Sequence, residues 1–314
     1  MPQSRVVGVP GTHFLQIARL TVALRCDDPS IVWHWDPAVR RFLTSPATTD
    51  VDLTVRAVER IPRAEGEVVF DSGSVWRLLR VGGRTSRPPG GGRDVRPPDG
   101  DAWLIECSSE LIDAEPYKAA RFNEDFTRGE ILLAPAALPL HVSPLDYPLD
   151  ELLIANLLGH GRGVELHACG VIDRDGRGHV FAGVSGAGKT TNARFWESTA
   201  SAVVSDDRVI VRELDGELWM FGTPWHGEAD LASPEGARIA GVYLIVQAEA
   251  NSIHELEHAT AVARLLSCSF PPFYDADAMD YTVGLLDRLA QRVPVRELRF
   301  TPDASVVELV RAEA

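Results

Sequence analysis

Apolar positions in the first part of the chain recur at every second residue, in short runs bounded by turn-forming residues. Residues 14–24, 51–58, 67–71, 74–81, 102–107 and 129–133 carry this pattern. It predicts strands, because alternate side chains of a strand face opposite sides. A mostly β domain is therefore expected over residues 1–143. Within it, residues 84–101 are dominated by Pro, Gly and Arg; with too little apolar surface to order themselves, they are expected to form a mobile excursion. Near residue 147 the period changes. Leu149, Leu152, Leu153, Ile154, Leu157 and Leu158 make a helical face, closed by Gly159 and Gly161. Strands are then expected over 164–172 and 179–182, joined by a hairpin turn at 173–178, followed by a helix over 190–197. An apolar strand over 202–211 is interrupted by two acids, and 242–246 reads as another strand. A helix over 278–290, a strand over 293–300 and a helix over 305–310 complete a second domain, residues 144–314. The expected fold class is α+β or α/β.

Composition narrows the partners. With 45% hydrophobic and 24% charged residues the chain can bury a sizeable core. Its net charge of −14 and the lack of a Lys/Arg cluster argue against a nucleic-acid surface, which needs a basic face. Cys26, Cys107, Cys169 and Cys268 fall in no metal-binding or redox spacing. Residues 1–14 have no apolar run, and 131–140 is short and broken by Pro135 and Pro139. Neither export nor membrane insertion is expected, so the expected location is the cytoplasm. Of 31 basic residues only Lys118 and Lys189 are lysines.

Lys189 stands in Gly183-Val-Ser-Gly-Ala-Gly-Lys-Thr190, a full GxxxxGK[ST] run between a predicted strand and a predicted helix. Gly186 and Gly188 permit backbone conformations that turn N–H groups inward, and the helix N-terminus adds partial positive charge. Lys189 is placed to reach the β- and γ-phosphates and the Thr190 hydroxyl to hold Mg²⁺. Gly183, Ser185, Gly186, Ala187, Gly188, Lys189, Thr190 and Thr191 are the expected nucleotide-binding residues, and ATP with Mg²⁺ the expected cofactors.

Seventeen positions after Lys189 come Asp206 and Asp207, inside the predicted strand 202–211. One short helix fits between, so this strand can lie beside the loop strand and bring a carboxylate to the γ-phosphate and its metal. If the strand is regular only one of the two acids faces the nucleotide. A solvated Asp-Asp turn is the alternative. His167, mid-strand, taken alone reads more readily as a core histidine than a catalytic one. Phe221-Gly-Thr-Pro-Trp-His-Gly-Glu228 brings together an aromatic, an imidazole and a carboxylate; Trp225 and His226 are candidate acceptor contacts and Glu228 a candidate metal ligand, with an ordinary loop as the alternative. Arg238 is a candidate phosphate contact. His254 and His258 have i, i+4 spacing but no evident third ligand, which favours a solvated helix face.

The strand histidine in Glu165-Leu-His167, the hairpin into Gly183–Thr190, and Val203-Val-Ser-Asp-Asp-Arg-Val209 together resemble the C-terminal catalytic domain of HPr kinase/phosphorylase. That P-loop class also includes ATP-dependent phosphoenolpyruvate carboxykinase. The resemblance covers about residues 147–311 and implies a P-loop kinase domain of this type. It implies Thr190 and Asp206 on Mg²⁺, Asp207 as the base for an acceptor hydroxyl, and His167 tuning that aspartate. It also implies a serine acceptor on a protein, and a homo-oligomer, since the related kinases assemble as oligomers. The Gly-rich segment that helps the family recognise its carrier is not visible; Gly222–Glu228 stands near that place and looks nearer to a carboxykinase segment.

The expected function is transfer of the γ-phosphoryl group of ATP to a hydroxyl of a protein or peptide. A small-molecule kinase is the first alternative, and a nucleotide-gated binding protein without transfer the second. The absence of an NKxD run weakens a GTPase reading.

Overall fold

The computed structural model describes residues 11–63, 65–81, 102–139 and 143–313. The chain is a mixed α/β protein in which strands predominate, with two large sheets and six helices among the described residues. It divides into two compact units. One comprises 1–15, 20–36 and 43–157, the other 16–19, 37–42 and 158–314.

The first nine strands are β1 (Gly11–Ile17), β2 (Leu20–Cys26), β3 (Leu43–Thr44), β4 (Val51–Ala57), β5 (Glu67–Asp71), β6 (Trp76–Val81), β7 (Ala102–Ser109), β8 (Asp113–Phe122) and β9 (Arg128–Leu133). They form one sheet in the order β3-β1-β2-β4-β9-β8-β7-β6-β5. The short helix α1 (Pro37–Arg40) interrupts them in sequence. Alternation works as the sequence suggests: Val51, Leu53 and Val55 of β4 are buried while Thr54 and Arg56 are exposed.

Two expectations change here. Residues 14–24 are a hairpin and not one strand, because Ala18 and Arg19 both take positive φ, 50° and 61°, the two-residue turn that matches strand twist. Strand β8 was not expected, since Pro116 interrupts it; the proline sits where the β7–β8 register shifts, and the ladder to β9 runs from Lys118 to Phe122 beyond it. Lys118 is fully buried and paired with Asp146. The expected excursion 84–101 lies outside the described residues.

Helix α2 (Leu149–Gly159) leads to β10 (Val164–Ile172), β11 (Gly178–Ala182), α3 (Lys189–Glu197), β12 (Ala202–Ser205), β13 (Arg208–Leu214), β14 (Glu217–Gly222) and β15 (Gly236–Gln247). Then follow β16 (Ser252–Glu255), α4 (His258–Ser267), α5 (Ala276–Arg292), β17 (Val295–Phe300) and α6 (Ser305–Glu313). The second sheet runs β11-β10-β13-β14-β15-β17-β16, with β12 also on β10 and β11 also on β15. The β11–β15 pairing closes β11, β10, β13, β14 and β15 into a ring. Ring closure needs two strands that change partners along their length. β10 pairs with β13 over 164–167 and with β11 over 168–172. β15 pairs with β14 over 236–238 and with β11 from Ile239 on.

One apolar cluster fills the ring and packs on α4 and α5: Leu166, Val180, Val209, Met220, Val242, Leu265 and Leu285 are at 0% exposure. The other lies between the sheet, α3 and α6, around Phe181, Trp196, Tyr243 and Val306.

The strand expected over 202–211 breaks into β12 and β13, with Asp206 and Asp207 in the bend between. Both pieces run along β10, so β10 separates them from β11; the expected adjacency to the loop strand does not occur. Strand β14 was missed although Asp215-Gly216, at φ 51° and 77°, marks its hairpin. His254 lies in β16 and His258 opens α4. The imidazoles contact Ser252 and Asp287 separately, so the helical pair does not exist.

Candidate functional site

β11 ends at Ala182 and α3 begins at Lys189, so the glycine loop 183–188 joins the C-terminal end of a strand to the N-terminus of a helix. Gly188 caps that helix at φ 108° and, being glycine, makes no side-chain cap. A Cβ there would stand 2.8 Å from the Phe300 ring. A helix N-terminus without a side-chain cap is a place where dipole and backbone N–H groups can favour an anion.

The stripe Lys189, Asn192, Ala193 and Trp196 is the buried face of α3. Lys189 Nζ folds back over the loop, donating to Gly183 O at 3.0 Å and Val184 O at 3.2 Å. Burial pulls its ammonium below the usual lysine range, and Asp207 opposes the shift. Ser185 and Gly186 are exposed, Ala187 is buried, and Thr190 and Thr191 are half-buried on the first turn of α3. Gln247, at the end of β15, donates to Gly186 O at 2.7 Å, a loop contact the sequence did not single out.

The loop is tied directly to β10. Gly183 N donates to His167 O at 3.2 Å, while His167 N donates to Cys268 O at 2.7 Å. The His167 side chain turns to the bend between β12 and β13, where Nε2 donates to Asp207 Oδ1 at 3.1 Å. This hydrogen bond first, and behind it the charges of His167, Arg208 and Lys189, hold the Asp207 carboxyl below its usual range against the opposing effect of burial. Arg208 is directly opposite His167 in the β10–β13 ladder. Its Nε lies 3.6 Å from Asp207 Oδ2, its Nη1 donates to the buried Glu165 at 2.8 Å, and it stacks 4.0 Å over the Phe270 ring. Glu165 and His167, two apart on β10, share one face; that spacing, with Arg208 following the two acids, was the available signal for this pair.

Asp206 behaves differently from its neighbour. It is at 0% exposure. Oδ1 accepts from Gly227 N at 2.8 Å and Oδ2 from Ala229 N at 2.9 Å. The segment carrying Trp225, His226 and Glu228 is thereby attached to the acid pair. Thr223 donates to Arg208 O at 2.8 Å, and Ala232 bridges to Ser205. His226 and Glu228 are exposed, and His226 Nε2 lies 3.2 Å from Asp230. Among the described residues no three His, Cys, Asp or Glu side chains gather as a metal cage.

Arg238 does not join the site. It sits near the start of β15, opposite Trp219, and pairs with Glu217 at 3.7 Å. Its neighbour Ile239 faces Gly178, the far end of β11, whereas Leu244 faces Ala182 beside the loop. Five strand residues, roughly 16 Å, separate the two ends. The sequence could not reveal which end of β15 faces the loop, because that depends on the parallel β11–β15 register.

No protein-family model and no curated protein matches the chain. Among solved structures, the HPr(Ser) kinase/phosphatase from Coxiella burnetii matches at 12% identity over 48% of this chain and 95% of that one, with a TM-score of 0.29. No helix among the described residues is long and apolar enough to cross a membrane.

Proposed function

We propose that this chain is an ATP- and Mg²⁺-dependent kinase that transfers the γ-phosphoryl group to a hydroxyl, a serine of a protein or peptide being the preferred acceptor. The observation that carries the reading is Asp207, held ionised by His167 within electrostatic reach of the loop lysine. Glycine loop, lysine and a positioned carboxylate are the parts that in-line phosphoryl transfer needs, because the chemistry is mostly positioning and charge stabilisation.

Lys189 would leave the loop carbonyls for the β- and γ-phosphate oxygens, and the backbone of 183–190 would cradle the chain of phosphates. Asp207 would take the proton of the acceptor hydroxyl on Oδ2, while Oδ1 stays on His167. Arg208, already neutralised by Glu165, would keep Asp207 in place. The oxygen donors fit a hard cation, which binds through one or two protein oxygens plus phosphates and water. Thr190 would hold it together with phosphate and water oxygens, whereas Asp206, at 0% exposure with Gly227 and Ala229 on its two oxygens, is closed off from it. When bound, Mg²⁺ neutralises charge on the phosphates. Four free, buried cysteines are in keeping with work in the cytoplasm.

The test is incubation with γ-labelled ATP, Mg²⁺ and a panel of serine peptides and small hydroxyl compounds, with Asp207→Asn beside the wild type. Label is expected on an acceptor with the wild type alone. A wild type that binds ATP but neither hydrolyses it nor transfers label overturns the kinase reading in favour of a nucleotide-gated binder.

A further inference from the structure

The two adjacent acids have different surroundings, and the difference assigns them different work. Asp207 is partly open, and its Oδ1 takes a side-chain donor, His167. Asp206 is closed off and takes backbone amides on both oxygens, from Gly227 and Ala229, twenty-one and twenty-three residues further on. A carboxylate that accepts two N–H bonds away from solvent is a strong tie, since charge-assisted hydrogen bonds exceed neutral ones and removal leaves buried amides unpaired.

What is tied is the stretch from Thr223 to Asp230. Its packing is close. A Cβ placed on Gly227 would stand 2.7 Å from Asp206 Oδ2 and 3.5 Å from Asp207 Cβ. The backbone of Gly227 therefore lies beside Asp207, whose side chain is partly open. Thr223 on Arg208 O and Ala232 on Ser205 fasten the two ends of the segment to the same bend.

We propose that Asp206 is a positioning residue that pins the Thr223–Asp230 segment against Asp207, and that this segment is the wall along which the phosphoryl acceptor is aligned. The inference rests on Asp207 being the base. It predicts that disturbing the segment raises the acceptor KM and leaves nucleotide binding alone, a separation that a merely structural role would not produce.

Gly227→Ala is the decisive variant, because its methyl group displaces the segment without removing either carboxylate. Asp206→Asn, which retains one acceptor oxygen and nearly the same volume, is its partner. Three quantities are measured on the full chain: the KM for the best serine peptide of the panel, the affinity for a fluorescent ATP analogue with Mg²⁺, and amide exchange over residues 223–232. Gly227→Ala should raise the peptide KM at least tenfold with analogue affinity within twofold of wild type. In Asp206→Asn the Gly227 and Ala229 amides should exchange at least tenfold faster while the rest of the chain keeps its protection. Unchanged peptide KM in Gly227→Ala, or unchanged exchange in Asp206→Asn, overturns the proposal while leaving the kinase reading intact. A wild type that transfers no label to any acceptor sinks both.

Discussion

His167 and Asp207, forty residues apart in sequence, meet at 3.1 Å because β10 and the bend after β12 lie side by side. The same His167 contributes its carbonyl to the first residue of the glycine loop. One residue thus joins the proposed base to the proposed phosphate site.

The pH dependence of transfer follows from that contact. The hydrogen bond from His167 lowers the Asp207 pKa, so the ionised base persists to lower pH and the acid limb of kcat/KM should fall below the ordinary carboxylate range. His167→Gln weakens that effect, and the limb should move to higher pH. A limb that does not move would remove His167 from the mechanism.

Asp207→Asn should cost about 10²- to 10⁴-fold in kcat, the usual weight of a general base. Nucleotide affinity should hold, because Asp207 takes no part in cradling the phosphates. Steady-state transfer assays together with analogue titration separate the two quantities.

Lys189→Met should weaken ATP binding by roughly 10- to 100-fold, the worth of one charged hydrogen bond. The fold should not suffer, since an apolar side chain of similar length suits the buried site better than a desolvated ammonium does. Titration and a thermal melt on the same sample check both halves.

Gly188→Ala should destabilise the second unit by about 1–3 kcal/mol, because a φ of 108° is strained for any residue with a Cβ and the Phe300 ring stands in the way. Denaturant melts give the magnitude. A loss below a few tenths would mean that the loop relaxes freely.

Asp173 is held well below its usual range, first by the hydrogen bonds from Arg311, which donates at 2.7 and 2.9 Å. Its folded pKa is depressed, so its contribution is complete above the unfolded carboxylate pKa and is lost only as pH falls through the folded value. Arg311→Ala should cost about 2–4 kcal/mol at neutral pH, because the pair is mostly buried. The gap between variant and wild type should narrow only in strong acid. Melting temperatures measured at several pH values will show whether it does.

The glycine loop was legible because its residue types are dictated locally: glycines where positive φ is needed, a slim amine, a hydroxyl at the first turn. The helices at 149–159 and 276–292 and most strands followed from periodicity, which is equally local. What escaped depends on pairing over long separations. Arg238 was drawn toward the phosphates because nothing in its neighbourhood reveals that it sits at the far end of the strand. The roles of Arg208, Glu165 and Phe270 needed β10 and β13 to be aligned first. The bend at Asp206-Asp207 was hidden inside an apolar run whose interruption read as a feature of a straight strand.

The chain has two lysines; Lys118 is at 0% exposure and Lys189 at 6%. Its side chains therefore offer almost no amine to acylating or cross-linking reagents, and arginine does not substitute for lysine in such chemistry. Lys189 becomes reachable only when its bonds to Gly183 and Val184 open. The rate at which that single amine is acylated is thus a clock for the opening of the glycine loop, readable by mass spectrometry without an added label.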